Sequence, residues 1–131
     1  MNRLADRVAE VLWEIGAVHV NVECYFRLPH AQPSPLYVDT RRLCGHPPQR
    51  TQVVAALADR VLAAGRPTLV VGDETAGIPF AAWVAARLGC GMGYLRTRPK
   101  DYGLPNQLEG ADADGQTVAL VTDLVNGGDS L

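Results

Sequence analysis

The chain has 131 residues, 47% of them hydrophobic and 20% charged, the composition of one soluble globular domain that buries a core without a disulfide framework. A formal charge of -2 gives no electrostatic reason to expect nucleic acid, and no apolar run approaches the roughly 18 residues of a membrane helix, so a cytoplasmic protein with neither partner is expected. Cys24, Cys44 and Cys90 are odd in number and lack CxxC spacing, which predicts reduced, mostly buried thiols.

In chain order, "MNRLADRVAEVLWEIGAV" carries Asp6, Glu10 and Glu14 among apolar residues, the pattern of an amphipathic helix and not of a signal peptide. Leu4, Val8, Leu12 and Ile15 share a face with Val11 beside them; Asn2 is the expected N-cap and Gly16 the end. "AVHVNVECYF" alternates as a strand does, whereas the prolines of "RLPHAQPSPLY" predict irregular or edge backbone. A second helix is expected from about Thr51, capped by its hydroxyl, through Val54, Leu57, Val61 and Leu62, with Gly65 and Pro67 ending it. "TLVVG" is apolar and β-branched, as a central parallel strand should be. "DETAG" predicts a turn, Pro79 the opening of a third helix, and "CGMGYLR" a second strand. Thr97 to Gly115 reads as a long loop with room for a short hairpin, and "TVALVTD" as a third core strand. The helices should pack on the sheet through Leu57, Val61, Trp83 and Leu88. His19, His30 and His46 share no metal-binding spacing.

Strand, helix and strand at this spacing predict an α/β domain with a mainly parallel sheet and flanking helices. Ligands of such sheets sit at the carboxyl ends of strands. Three loops fall there. In "DLVNGGDS", two glycines let several N–H groups point inward as a phosphate nest ahead of a helix N-terminus. Asp123 would repel phosphate but suits sugar hydroxyls, directly or through a metal; a Gly-rich turn with a capping Asp fits the same residues. In "GDETAGIP", Gly72 and Gly77 would let backbone approach a ligand, and Asp73 and Glu74 favour a metal-bridged anion. The plainer alternative is a βα turn whose acids complement the helix dipole. "YLRTRPKDYG" places Arg96, Arg98 and Lys100 on a loop with Pro99 and Gly103, either a solvated basic loop or a lid over a polyphosphate. Together the loops describe a pocket for a phosphorylated sugar bearing a second anionic group.

With the N-terminal half, these motifs resemble the orotate phosphoribosyltransferases of the type I phosphoribosyltransferase family. "EIGAVHVNVECYFRLPHAQPSPLYVDTRRL" is similar to the family's F-x-L-K-S-G-x-x-S-P-x-Y-x-D-x-R opening, with Phe26, Leu28, Ser34, Pro35, Tyr37, Asp39 and Arg41 in register. "VGDETAGIPFAAWVAARLG" resembles the pyrophosphate-loop segment, "YLRTRPKDYGLPNQLEG" the flexible catalytic loop, and "VALVTDLVNGGDS" the phosphoribosyl-diphosphate (PRPP) motif. Purine and uracil phosphoribosyltransferases lack the N-terminal stretch, and no G-x-G-x-x-G marks a dinucleotide fold.

The resemblance implies a type I phosphoribosyltransferase-like domain over 1–131, with a hood-like helix-plus-strand region at 1–48 and a PRPP-binding core at 49–131 that is incomplete at its C-terminus. It implies transfer of ribose 5-phosphate from PRPP to orotate, with Mg²⁺ carried through PRPP, in a homodimer. Lys100 and Asp123 take the catalytic positions. Arg96, Lys100, Thr122, Asp123, Asn126, Gly127, Gly128, Asp129 and Ser130 take those that bind PRPP. Glu74, Thr75, Ala76 and Gly77 form the pyrophosphate loop, and Asn126 stands at an orotate-binding position. The departures fall on functional positions. Pro29 replaces a lysine, Thr97 the second lid cation, Tyr102 the lid histidine and Thr122 the first acid of the PRPP motif. They keep open a second reading, a catalytically impaired paralogue acting as a PRPP- or nucleotide-binding or partner subunit.

Overall fold

The structure, a computed structural model, describes residues 3–28, 32–98 and 106–125. The chain divides into two compact units, one holding the segment up to Val53 together with Leu124 and Val125, and the other Val54–Asp123.

The first unit begins with helix α1, Arg3–Glu14, which buries Val11 and, just past its end, Ile15 and Ala17. Leu4, Val8 and Leu12 are half-buried along the same face, as the 3.6-residue period requires. Gly16 turns the chain at φ 66°, a left-handed conformation that costs glycine little. Strand β1 is only Val18–Val20, paired antiparallel with β2, Leu36–Val38, in the register His19 to Tyr37. The alternating stretch beyond β1 does not continue as a strand: Asn21 Oδ1 accepts the N–H groups of Glu23 and Cys24 instead, a side-chain turn that competes with the ladder. A single bridge joins Phe26 to Ser34. A 3-10 turn, Thr40–Gly45, follows and buries Leu43.

Helix α2 runs Pro47–Ala64, four residues earlier than Thr51. Two prolines open it, where a missing N–H leaves no bond unmade. Thr51 is not a cap; its hydroxyl donates back to the Pro47 carbonyl at 2.9 Å, within the first turn. The residues that α2 buries are Val53, Val54, Ala56 and Ala58, while Leu57 and Val61 are half-buried and Leu62 is exposed.

In the second unit a four-stranded sheet has the order β5-β4-β3-β6. Strand β3, Leu69–Asp73, lies in the middle with Leu69, Val70 and Val71 almost wholly buried. It pairs in parallel with β4, Gly91–Leu95, and with β6, Val118–Val121. Short β5, Leu108–Glu109, adds antiparallel to β4, the hairpin the long loop left room for. Helix α3, Gly77–Leu88, packs on this sheet through Phe80, Ala81, Val84 and Ala85; Trp83 and Leu88 are only half-buried. Pro79 sits in its first turn and does not begin it.

Strand β6 flanks β3 as a neighbouring parallel strand but is less buried than the core strand expected: it is the edge of the sheet among the described residues, and Val118 and Leu120 are each 45% exposed. They line a groove of about 480 Å³ beside Leu57, Val61 and Ala64 of α2. The thiols also differ from expectation: all three are free, with Cys24 and Cys44 exposed and Cys90 half-buried, because the segments of the first two are turns.

Candidate functional site

Register decides where the loops meet. Asp73, the last residue of β3, pairs with Leu95, the last of β4, and Gly72 pairs with Val121, the last of β6. Three parallel strands therefore end level, and the turn at 74–76, the loop root at 96–98 and the segment from Thr122 leave the sheet along one rim. This is the rim where α/β sheets bind ligands.

The turn after β3 is built from the chain's own atoms. A Cβ on Gly72 would meet the Gly77 carbonyl oxygen at 2.7 Å and Ala81 Cβ at 2.9 Å. A Cβ on Gly77 would overlap Asp73 Oδ1 and lie 3.0 Å from the Val121 carbonyl oxygen. Close helix–sheet packing is thus enough to require glycine at both positions. Asp73 Oδ1 is buried against Gly77 and makes no hydrogen bond. The peptide between Glu74 and Thr75 is cis. Thr75 is exposed and Ala76 half-buried, at the start of α3.

Glu74 is engaged in hydrogen bonds of the chain's own backbone. Its N–H donates to the Leu95 carbonyl at 2.8 Å, and its Oε2 accepts the Thr97 N–H at 2.9 Å. On the other side of the same segment, Arg96 N–H donates to the Gln107 carbonyl at 2.9 Å, and Gln107 Nε2 donates to the Arg96 carbonyl at 3.1 Å. Arg96 is half-buried, and its Nε lies 3.3 Å from the Arg98 carbonyl oxygen. Sequence reasoning missed Gln107, and nothing in its local pattern marks it.

Thr122 and Asp123 follow β6 directly and are half-buried. Lys100, Asn126, Gly127, Gly128, Asp129 and Ser130, expected at the site, lie outside the described residues. Among the described residues no three His, Cys, Asp or Glu side chains gather as a metal site.

In the first unit, Tyr37, Asp39 and Arg41 form one cluster. Arg41 Nε donates to Asp39 Oδ1 at 2.8 Å and Nη2 to the Tyr37 hydroxyl at 2.7 Å. The hydrogen bond and charge of Asp39 raise the Arg41 guanidinium above its ordinary value. Tyr37 also meets Phe26 with ring centroids 5.6 Å apart.

No family model matches the chain. Individual proteins do. Orotate phosphoribosyltransferase of Rhizobium meliloti is 42% identical over 131 residues, 98% of this chain and 56% of that protein. Its counterpart from Oceanobacillus iheyensis is 38% identical, over 95% of this chain and 62% of that protein. Among solved structures, orotate phosphoribosyltransferase from Aeropyrum pernix superposes with a TM-score of 0.61 at 35% identity, over 79% of this chain and 57% of that one. Leishmania donovani UMP synthase, at 24% identity, shows the fold alone, with a TM-score of 0.72 over 95% of this chain and 26% of that one.

A level parallel rim closed by a glycine-packed turn is thus one instance of the type I phosphoribosyltransferase fold. Within that class, the chain is similar in sequence, along nearly its whole length, to orotate phosphoribosyltransferases. The chain spans little more than half the length of the curated relatives it matches.

Proposed function

We propose that this chain carries the PRPP-handling rim of an orotate phosphoribosyltransferase. The reaction joins ribose C1 of PRPP to a ring nitrogen of orotate as the bond from C1 to pyrophosphate breaks, giving orotidine 5′-monophosphate for pyrimidine nucleotide synthesis. The observation that carries this reading is the register that ends β3, β4 and β6 level, so that the 74–76 turn, Arg96 and Asp123 share one rim.

Each group then has a physical task. Asp123, at the end of β6, accepts hydrogen bonds from ribose hydroxyls and fixes the sugar relative to the sheet. Arg96 offers a planar, permanently charged fork to the departing pyrophosphate. Lys100 adds a second cation there, and the backbone at Gly127, Gly128 and Asp129, with Ser130 and Asn126 beside it, takes the 5-phosphate and the base. Thr75 and Ala76 border the pyrophosphate at the turn. Catalysis of this kind consists of holding both ends of the reaction in line while charge leaves.

Oxygen donors at the strand ends, Thr122 and Asp123, suit Mg²⁺, and in this proposal the ion arrives bound to PRPP. When bound it neutralises diphosphate charge. A homodimer in the cytoplasm is part of the same proposal; among the described residues no helix is long and apolar enough to cross a membrane.

The test is formation of orotidine 5′-monophosphate from orotate and PRPP with Mg²⁺. Turnover that depends on both substrates, and that falls further in Lys100→Ala than PRPP affinity does, is expected. PRPP binding without any turnover would favour a non-catalytic binding subunit.

A further inference from the structure

We infer that Glu74 is a positioning residue for Arg96, which it holds through the backbone on either side of it. In a parallel ladder one residue donates to residue j of its neighbour and accepts from j+2. Glu74 N–H makes the first bond, to the Leu95 carbonyl at 2.8 Å. The second, from the Thr97 N–H, is received at 2.9 Å by the Glu74 carboxylate. The side chain thereby extends the β3–β4 ladder by one step while the main chain of Glu74 is already turning away towards α3. Gln107 grips the same residue from the β5 side, bonding both the N–H and the carbonyl of Arg96 at 2.9 and 3.1 Å. The backbone of Arg96 is thereby held from both edges, and its side chain, whose Nε donates to the Arg98 carbonyl at 3.3 Å, stands at the rim.

The arrangement assigns Glu74 a task other than ligand contact. A bare carboxylate facing a pyrophosphate would repel it; here that charge is directed to an N–H group of the chain. The inference rests on the PRPP reading above, because the benefit of a fixed Arg96 is a preorganised contact to the leaving diphosphate.

The experiment compares wild type, Glu74→Ala and Glu74→Gln by amide hydrogen exchange at Thr97 and by calorimetric titration of Mg²⁺–PRPP, with far-UV circular dichroism to confirm folding. A hydrogen bond to a charged group sets the scale at about tenfold or more in an equilibrium. Glu74→Ala should exchange faster at Thr97 and bind PRPP about tenfold more weakly. Glu74→Gln, whose amide oxygen can accept the same N–H, should recover most of both. Unchanged exchange in Glu74→Ala, faster exchange with unaltered PRPP affinity, or a Glu74→Gln variant as weak as Glu74→Ala would overturn the inference. If wild type bound no PRPP, the functional reading and the positioning role would fall together. The exchange comparison would still report separately on the Glu74–Thr97 bond.

Discussion

Gly72 and Gly77 face each other across the turn between β3 and α3 so closely that a Cβ on Gly72 would lie 2.7 Å from the Gly77 carbonyl oxygen. The obstacle is backbone, which cannot rotate aside as a side chain can. Gly72→Ala should therefore destabilise by about 1–3 kcal/mol, the usual range for overpacking, measured by denaturant unfolding. A cost below a few tenths would mean that the helix stands off the sheet.

Gly77 meets a different obstacle, the carboxylate of Asp73. Gly77→Ala should cost about the same 1–3 kcal/mol, but less in an Asp73→Ala background, where the overlapping oxygen is gone. A double-mutant cycle should give a coupling of about 0.5–3 kcal/mol. Strict additivity would show that Asp73 does not fill that space.

Thr51 separates the expectation of a helix cap from the observed fold. An N-cap threonine replaced by alanine costs about 0.5–2 kcal/mol. Because Thr51 lies inside the first turn of α2 and is exposed, Thr51→Ala should stay within about 0.5 kcal/mol of wild type in thermal unfolding.

Much of the fold was legible where local pattern and tertiary role agree. β3 reads as central because its apolar, β-branched residues are buried on both faces, and Gly65 ends α2 where a glycine should. β6 shows the limit of that reading: "TVALV" is as apolar as "TLVV", but an apolar run does not say how much of a flanking strand the fold covers. For the start of α2, Pro47 and Pro48 carry a stronger signal than the hydroxyl of Thr51. At the site, glycines in a βα turn announce a close approach without saying of what. Glu74 and Thr97 lie 23 residues apart, so their bond exists only once β3 and β4 take their register.

The edge position of β6 gives a contrast of its own. Leu69 is 1% exposed and Leu120 45% exposed, though both sit in paired strands of one sheet. Leu69→Ala should cost about 2–5 kcal/mol, as large-to-small changes in a core do. Leu120→Ala should cost far less in the same denaturation experiment; equal losses would place β6 inside a core.

The cluster in the first unit should matter little for stability. The Arg41–Asp39 pair is exposed, with 58% and 28% of the side-chain surfaces open to solvent. A double-mutant cycle on the pair should give about 0.2–1 kcal/mol, decreasing with added salt.

The central claim is that the strand ends hold PRPP, with Asp123 on the ribose. Calorimetric titration of PRPP into wild type and Asp123→Asn, with and without Mg²⁺, tests it most directly. Weak binding that Mg²⁺ strengthens is expected, with a further loss of about tenfold or more in Asp123→Asn, the scale of a hydrogen bond to a charged acceptor. Tight binding without metal, or binding indifferent to Asp123, would contradict it.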